Sequence, residues 1–315
     1  MRLRWGILFC ILCAACSKPS IKKSGDKPQT LPFFYSVPVE QFSSSGAPRF
    51  NLQIEDQVFS IDLDLGSSGN LSLDSDKIQS IKNKMFKRVG KSHGIRGKEY
   101  YYNSYEVPEI KIGDAELLSI ILDEENKDLL DNALLLANPN IIPDHGEGRI
   151  GWPTFYHSNL LLDIPHMEIG FCSSLDNLRN HGYDPDAFTA VPITLDRDMI
   201  EFDLQTEKGT LRCVLDSGAT RNLFHSPLTE TQSLEERLKD ASSYIQYTTS
   251  HIGAYNVGPI TFIPVPLLLP HQYQAMLGME FIHKHIIFIN FAEKMIYFSK
   301  PSGKNLSCND GHNSL

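Results

Sequence analysis

Apolar residues in this chain recur mostly at every second position, in short runs broken by Gly, Pro and Asn. Phe50-Asn-Leu-Gln-Ile-Glu55 and Phe202-Asp-Leu-Gln-Thr-Glu207 share this pattern, and each leads to a second apolar stretch that ends at an aspartate, Asp64 or Asp216. A period of two marks a half-buried strand. Helical spacing is rarer. Ile78, Ile81 and Met85 fall at i, i+3 and i+7 and predict a helix over Ser75 to Phe86. Ser233 and Glu236 make a capping box for a short helix through about Ser242. Short alternating strands between turn residues, with few helices, predict an all-β architecture.

The alternation also repeats. The offset between Phe50 and Phe202 equals that between Asp64 and Asp216, and both aspartate runs continue into Asn-Leu, at Asn70-Leu71 and Asn222-Leu223. Val37-Pro-Val39 opens the first half as Val191-Pro-Ile193 opens the second. Val107-Pro-Glu-Ile-Lys-Ile112 reads against Val257-Gly-Pro-Ile-Thr-Phe262. Leu160-Leu-Leu-Asp163 and Met167 to Phe171 close the first half as Ile287-Phe-Ile-Asn290 and Lys294 to Phe298 close the second. Two lobes follow, at 33–171 and 188–299, joined by an Asn-, Gly- and Pro-containing linker at 172–187. A length of 315 residues accommodates both.

The N-terminus breaks the pattern. Arg2 and Arg4 precede an apolar run from Trp5 to Ala15, too short for ~30 Å of hydrocarbon and shaped like a secretory signal. Its end, Cys13-Ala14-Ala15-Cys16-Ser17, resembles a bacterial lipobox, although Cys13 stands where Leu is usual. That resemblance implies a signal at 1–15, lipidation at Cys16 and a polar tether at 16–32. Ser17 resembles the residue that directs such proteins to the outer membrane of the bacterial cell envelope. A plain signal cut nearby is the alternative. Residues 300–315 read as a loose tail. Without the leader and Cys16, the cysteines left are Cys172, Cys213 and Cys308, enough for at most one internal pair.

Charge narrows the partners. A net charge of −9, with no basic run or phosphate-binding glycine loop, gives no reason to expect nucleic acid or an anionic membrane surface. No Cys/His cluster has metal-ligand spacing, so neither metal nor cofactor is expected. Asp74, Asp76 and the acids from Asp123 to Asp128 read as solvated or helix-capping charge, and Asp163 and Asn290 as turn anchors.

What remains is the pair of aspartate runs. The second reads Val214-Leu215-Asp216-Ser217-Gly218-Ala219-Thr220, followed later by Met276-Leu277-Gly278. The first reads Asp62-Leu63-Asp64-Leu65-Gly66-Ser67-Ser68, followed by Arg149-Ile150-Gly151. This constellation resembles the aspartic peptidases of the pepsin and retropepsin-like superfamily, over roughly residues 33–299. The resemblance implies a bilobal fold with a pseudo-twofold internal repeat and a catalytic dyad of Asp64 and Asp216. Loops containing Gly66, Ser67, Ser217, Gly218, Ala219 and Thr220 would shape it. Two carboxylates within about 3 Å cannot both ionise, so they share a proton and activate a water against a peptide bond. Substrates would be peptide or protein segments bound extended between the lobes of a monomer.

The first half departs from the motif. Leu65 replaces the hydroxyl residue that bonds across the twofold, and unpaired buried groups there could cost about 1–3 kcal/mol. Asp62 lies on the Asp64 side of its strand, where the other half has Val214; it is either an extra charge near the dyad, a solvated group or one paired elsewhere. Ser92-His93-Gly94-Ile95-Arg96-Gly97 resembles the tip of a flap, and Ser250-His251-Ile252-Gly253 lies at the matching place in the second half. The alternative is two ordinary hairpins. A non-catalytic peptide- or protein-binding role on the same fold is the second functional expectation, and Leu65 argues for it.

Overall fold

A computed structural model describes residues 34–43, 46–93, 99–125, 146–156, 158–196, 199–226, 244–266 and 273–301. Each half builds its own sheet. The first contains β2 (Gln41–Phe42), β3 (Pro48–Ile54), β4 (Gln57–Asp64), β5 (Leu71–Asp74), β6 (Met85–His93), β7 (Glu99–Ile112), β8 (Ala115–Glu125) and β9 (Gly148–Gly151). Their order is β2-β3-β4-β9-β5-β8-β7-β6. The second contains β13 (Thr194–Asp196), β14 (Met199–Thr206), β15 (Gly209–Leu215), β16 (Leu223–Ser226), β17 (Ile245–Tyr247), β18 (Ser250–Ile252), β19 (Tyr255–Asn256), β20 (Ile260–Pro266) and β21 (Ala275–Leu277). It runs β17-β20-β16-β21-β15-β14-β18-β19, with β13 on β14.

The two sheets repeat one topology. The aspartate strands β4 and β15 each lie parallel to a short strand, β9 ending in Ile150-Gly151 and β21 ending at Leu277 just before Gly278. Those strands lie antiparallel to β5 and β16, which lie parallel to β8 and β20. The alternation is realised as expected: Phe50, Leu52 and Ile54 are buried on β3, with Asn51 and Gln53 exposed between them.

A third sheet joins the halves, in the order β1 (Phe34–Pro38), β11 (Glu168–Cys172), β10 (Asn159–Asp163), β22 (Ile286–Asn290), β23 (Met295–Ser299) and β12 (Thr189–Pro192). At its centre Leu160 faces Ile289, Leu161 faces Phe288 and Leu162 faces Ile287. Leu160, Leu162, Ile287 and Ile289 point into the main core. Leu161 and Phe288 point the other way, against Cys172, Leu178 and Tyr183 of the linker. Burial on both faces explains why these strands read as unbroken apolar runs rather than alternations. Asn290 Oδ1 accepts from Glu293 N at 2.9 Å, the expected turn anchor. Asp163 does more: it is fully buried, beside His166 Nδ1 at 2.7 Å and accepting from Tyr183 Oη at 2.8 Å. Burial and the Asp163 charge push the Tyr183 phenol above its usual range. Cys172 and Cys213 are buried free thiols, and burial raises both above the usual thiol value.

Three local expectations need correction. The first helix covers only Ser75–Ser80. Ile78 and Ile81 are buried, but Met85 is exposed and begins β6. The chain turns out of the helix because Glu55, at the β3–β4 turn, accepts the amides of Lys82 and Asn83 at 3.2 and 2.6 Å. The Val107–Ile112 and Val257–Phe262 segments are not counterparts either. Lys111 pairs with Gln53 on β3, and the equivalent partner of Gln205 on β14 is His251. The counterpart of β20 is β8, since each lies parallel to the strand that follows its aspartate loop. Finally, Asp123 is half-buried and hydrogen-bonded rather than a freely solvated charge. It accepts from Ser104 Oγ at 2.5 Å, and burial raises its carboxyl above the usual range. The capping box at Ser233 and Glu236 lies outside the described residues, as do Cys16, Cys308 and the leader.

Beneath the first aspartate loop Arg49 Nε meets Asp62 Oδ1 at 2.6 Å, both side chains nearly inaccessible. Asp62 is thus paired elsewhere, the third of its three readings. The second lobe solves the same place differently. Val214 faces Glu201 across β14 and β15, and Glu201 bonds to Arg212. Removing one partner of a buried ion pair costs about 3–5 kcal/mol, whereas an apolar exchange of both is close to neutral. Asp62→Val alone is therefore expected to lower unfolding free energy by that amount, and the double change Arg49→Leu with Asp62→Val to recover most of it, read by denaturant melts.

Candidate active site

Asp64 ends β4 and Asp216 directly follows β15, and the structure brings them together. Each aspartate accepts from the amide two residues on. Gly66 N lies 3.0 Å from Asp64 Oδ1, and Gly218 N lies 2.8 Å from Asp216 Oδ1. Each glycine also faces the opposite lobe. A Cβ on Gly66 would stand 2.4 Å from the carboxyl carbon of Asp216, and one on Gly218 would stand 2.6 Å from Asp64 Oδ1. Only a residue without a Cβ permits that approach.

Ser217 links the lobes. It is wholly buried, its hydroxyl donates to Leu63 O at 2.7 Å, and it accepts from Leu65 N at 2.9 Å. One serine from the second lobe so satisfies two backbone groups of the first. Leu65 has no hydroxyl to return the contact and is instead buried in the core. Ser67 N donates to Asp64 O at 3.0 Å and Ala219 N to Asp216 O at 3.4 Å, closing equivalent turns. Thr220 is exposed, and a Cβ on Gly46, from the first half, would lie 3.6 Å from its methyl. Behind the loops Gly151 N donates to Asn70 O at 2.8 Å, while Gly278 N donates to the Asn222 side chain at 3.0 Å.

The electrostatics are those of a coupled pair. Asp64 is 8% exposed. Burial first, and then the charge of Asp64 with the hydrogen bond between the two carboxyls, push Asp216 up to about 8; the amides of Gly218 and Gly66 oppose this. The pair thus retains a proton where isolated carboxylates have lost theirs. A basic group that the sequence reading passed over also reaches the site: Arg149 Nη1 lies 3.1 Å from Asp64 Oδ2. It occupies the first position of the Arg149-Ile150-Gly151 run, where the other lobe has Met276. The register of β4 against β9, which pairs Asp62 with Arg149 and Asp64 with Gly151, points its side chain along the aspartate face.

The flap expectation divides. β6 and β7 form a long hairpin, and Tyr102 lies across Gly90, where a Cβ would meet its ring at 2.4 Å. The tip with Gly94, Ile95 and Gly97 lies outside the described residues. The second half has no flap at Gly253. His251 pairs with Gln205 on β14, and Gly253 turns between β18 and β19 at φ +57. A Cβ there would touch Val191, as one on Gly113, also at φ +57, would touch Val37. Gly253 therefore corresponds to the β7–β8 turn. Among the described residues no group of three or more His, Cys, Asp or Glu side chains could hold a metal ion.

No protein-family model matches the chain, and no curated protein matches it. Solved structures share its fold. The basic 7S globulin from soybean superposes with a TM-score of 0.56 at 10% identity, covering 87% of this chain and 96% of the globulin. The aspartic proteinase from Irpex lacteus superposes with a TM-score of 0.55 at 12% identity, covering 88% of this chain and 100% of the proteinase. The chain has the all-β, two-lobed fold of pepsin-like aspartic proteinases.

The raised value at Asp216 carries a sign for stability. An acid that holds its proton more tightly when folded stabilises the fold at low pH, and that contribution is lost as pH rises from about 4 to about 8. Asp216→Asn removes it. Thermal melts are expected to show the variant gaining on the parent steadily across that interval and keeping its advantage above it.

Proposed function

We propose that the chain is an aspartic endopeptidase, with Asp64 and Asp216 as its catalytic pair. The observation that carries this reading is the mutual approach of the two carboxyls, where burial and the Asp64 charge push the Asp216 carboxyl upward. A water held between a protonated and an ionised carboxyl can lose a proton to one while the other donates to the peptide carbonyl oxygen. The carbonyl carbon gains the hydroxyl, and the C–N bond breaks as the amine nitrogen is protonated. An extended peptide segment in the cleft suits the chemistry and the strand-lined surroundings.

A binding role without turnover is the second reading. Leu65, buried where the cross-lobe hydroxyl would stand, favours it. So does the occurrence of this fold in a protein described as a globulin. Digestion of casein or a peptide library from acid to neutral pH separates the two. We expect cleavage by the parent and a loss of at least about a thousandfold in Asp64→Asn and Asp216→Asn, since neither variant can cycle a proton at that site. Retention of cleavage in both variants would sink the assignment, and binding without cleavage at every pH would favour the second reading.

The N-terminal run supports anchoring in the bacterial envelope through a lipid on Cys16, at the outer membrane, with the lobes acting as a monomer. One saturated chain holds a protein only marginally, so stable retention needs the further acyl groups of a lipoprotein-type anchor. Cys16→Ser is expected to move the protein from the membrane pellet to the soluble fraction.

A further inference from the structure

We propose that Arg149 is a positioning residue for the dyad: its guanidinium holds the negative charge on Asp64 and so leaves the shared proton on Asp216. This rests on the peptidase reading above and adds to it an assignment of the two roles. The geometry is one-sided. Arg149 Nη1 stands 3.1 Å from Asp64 Oδ2, with the arginine side chain 30% exposed and the aspartate side chain 11% exposed. The equivalent position of β21 holds Met276, which carries no charge. A cation beside one carboxyl of a pair stabilises that carboxylate over its partner.

The surrounding charges leave this contact intact. Asp62, the register partner of Arg149 on β4, is already engaged by Arg49 at 2.6 Å and by Gly146 N at 3.4 Å. On β5, Ser72 pairs with Arg149, and Asp74 follows on the same face. Glu147, two residues before Arg149 and just ahead of β9, is bonded to Lys77. From the second lobe, Asp216 faces Asp64, and Tyr273 is close enough to feel the Asp216 charge. Asp123 lies behind the first loop, 3.5 Å from where a Cβ on Gly69 would be, and is bonded to Ser104.

With the charges so placed, Asp64 is the base and Asp216 the acid of the first step. Water adds to the carbonyl carbon, giving one proton to Asp64, while the proton of Asp216 passes to the carbonyl oxygen. In the second step the proton on Asp64 goes to the amine nitrogen as the C–N bond breaks. A hydroxyl of the tetrahedral carbon returns its proton to Asp216, and the pair regains its starting state.

The test compares the full-length chain in mild detergent with Arg149→Met, which copies the other lobe, and Arg149→Lys, which keeps the charge. Two readouts are used: the pH profile of kcat/KM on a cleaved peptide, and the carboxyl 13C titration of aspartate-labelled protein. Losing the cation raises both steps of the pair, so Arg149→Met is expected to move both limbs and both titrations upward by about one pH unit or more. Arg149→Lys should fall between, and in the parent the first proton taken up as pH drops should appear on Asp216. Coincident titrations for parent and Arg149→Met, equal shifts in the Met and Lys variants, or a first proton on Asp64 would each overturn the proposal. A parent that cleaves nothing would refute the peptidase reading, while the titration would still decide the place of the proton.

Discussion

Two carboxyl groups facing one another across a lobe boundary repel whenever both are ionised, and the rest of the structure is organised to keep them in place. At about 4 Å the repulsion of two unit charges is about 4 kcal/mol for a partly shielded site. One proton removes it and adds a hydrogen bond between the carboxyls, consistent with the upward displacement of Asp216. The glycines set how near the loops can come, because each fills with backbone the space that a side chain would take from the opposite aspartate. Ser217 then ties the two loops together from one side. None of these short contacts would hold if the lobes slid, and the shared sheet opposes sliding. Its central strands pair Leu160 with Ile289 and Leu162 with Ile287, all of them fully buried.

On this common scaffold the lobes have diverged in charge far more than in topology. Wherever the first lobe places Arg49 against Asp62, the second places Glu201 across from Val214 and satisfies it with Arg212. Where the second lobe offers the Ser217 hydroxyl, the first offers Leu65, whose side chain packs in the core and offers no hydroxyl in return, although its amide bonds to Ser217. Where the second lobe has Met276, the first has Arg149. Each exchange keeps a strand pair or a buried contact and alters the field at the cleft. Packing constrains shape at such positions, while the sign of a charge is free to change so long as a partner changes with it.

Much of this was legible in the sequence because period-two burial is a local property. Phe50, Leu52 and Ile54 announce their strand, and the matching run at Phe202 announces the repeat. The aspartate loops were legible for the same reason, since their residue types serve a turn and a carboxylate that lie within a few positions. What escaped is what parallel strands bring together from far along the chain. Arg149 stands in plain view within its Ile-Gly run, but only the register of β9 on β4 sets it beside Asp64. Met85 fits a helical stripe, yet Glu55, from another turn, takes the amides of Lys82 and Asn83 where a helix would continue. Gly253 looked like a flap tip because a glycine turn after a strand reads the same way in either hairpin. The contact with Val191 separates them, and it lies outside the local sequence.

That the charge difference sits within one chain has its own logic. A symmetric pair of identical lobes would have to carry any arginine twice, placing a cation against each carboxylate. Two such cations would favour the doubly ionised pair and expel the proton on which the acid half of the proposed chemistry depends. A single arginine breaks the equivalence instead, leaving one carboxyl charged and the other able to donate. Joining the two lobes covalently is what allows this chain to carry Arg149 on one side and Met276 on the other. The departures from symmetry around Asp64 are therefore as much a part of the site as the symmetry that brings Asp64 to Asp216.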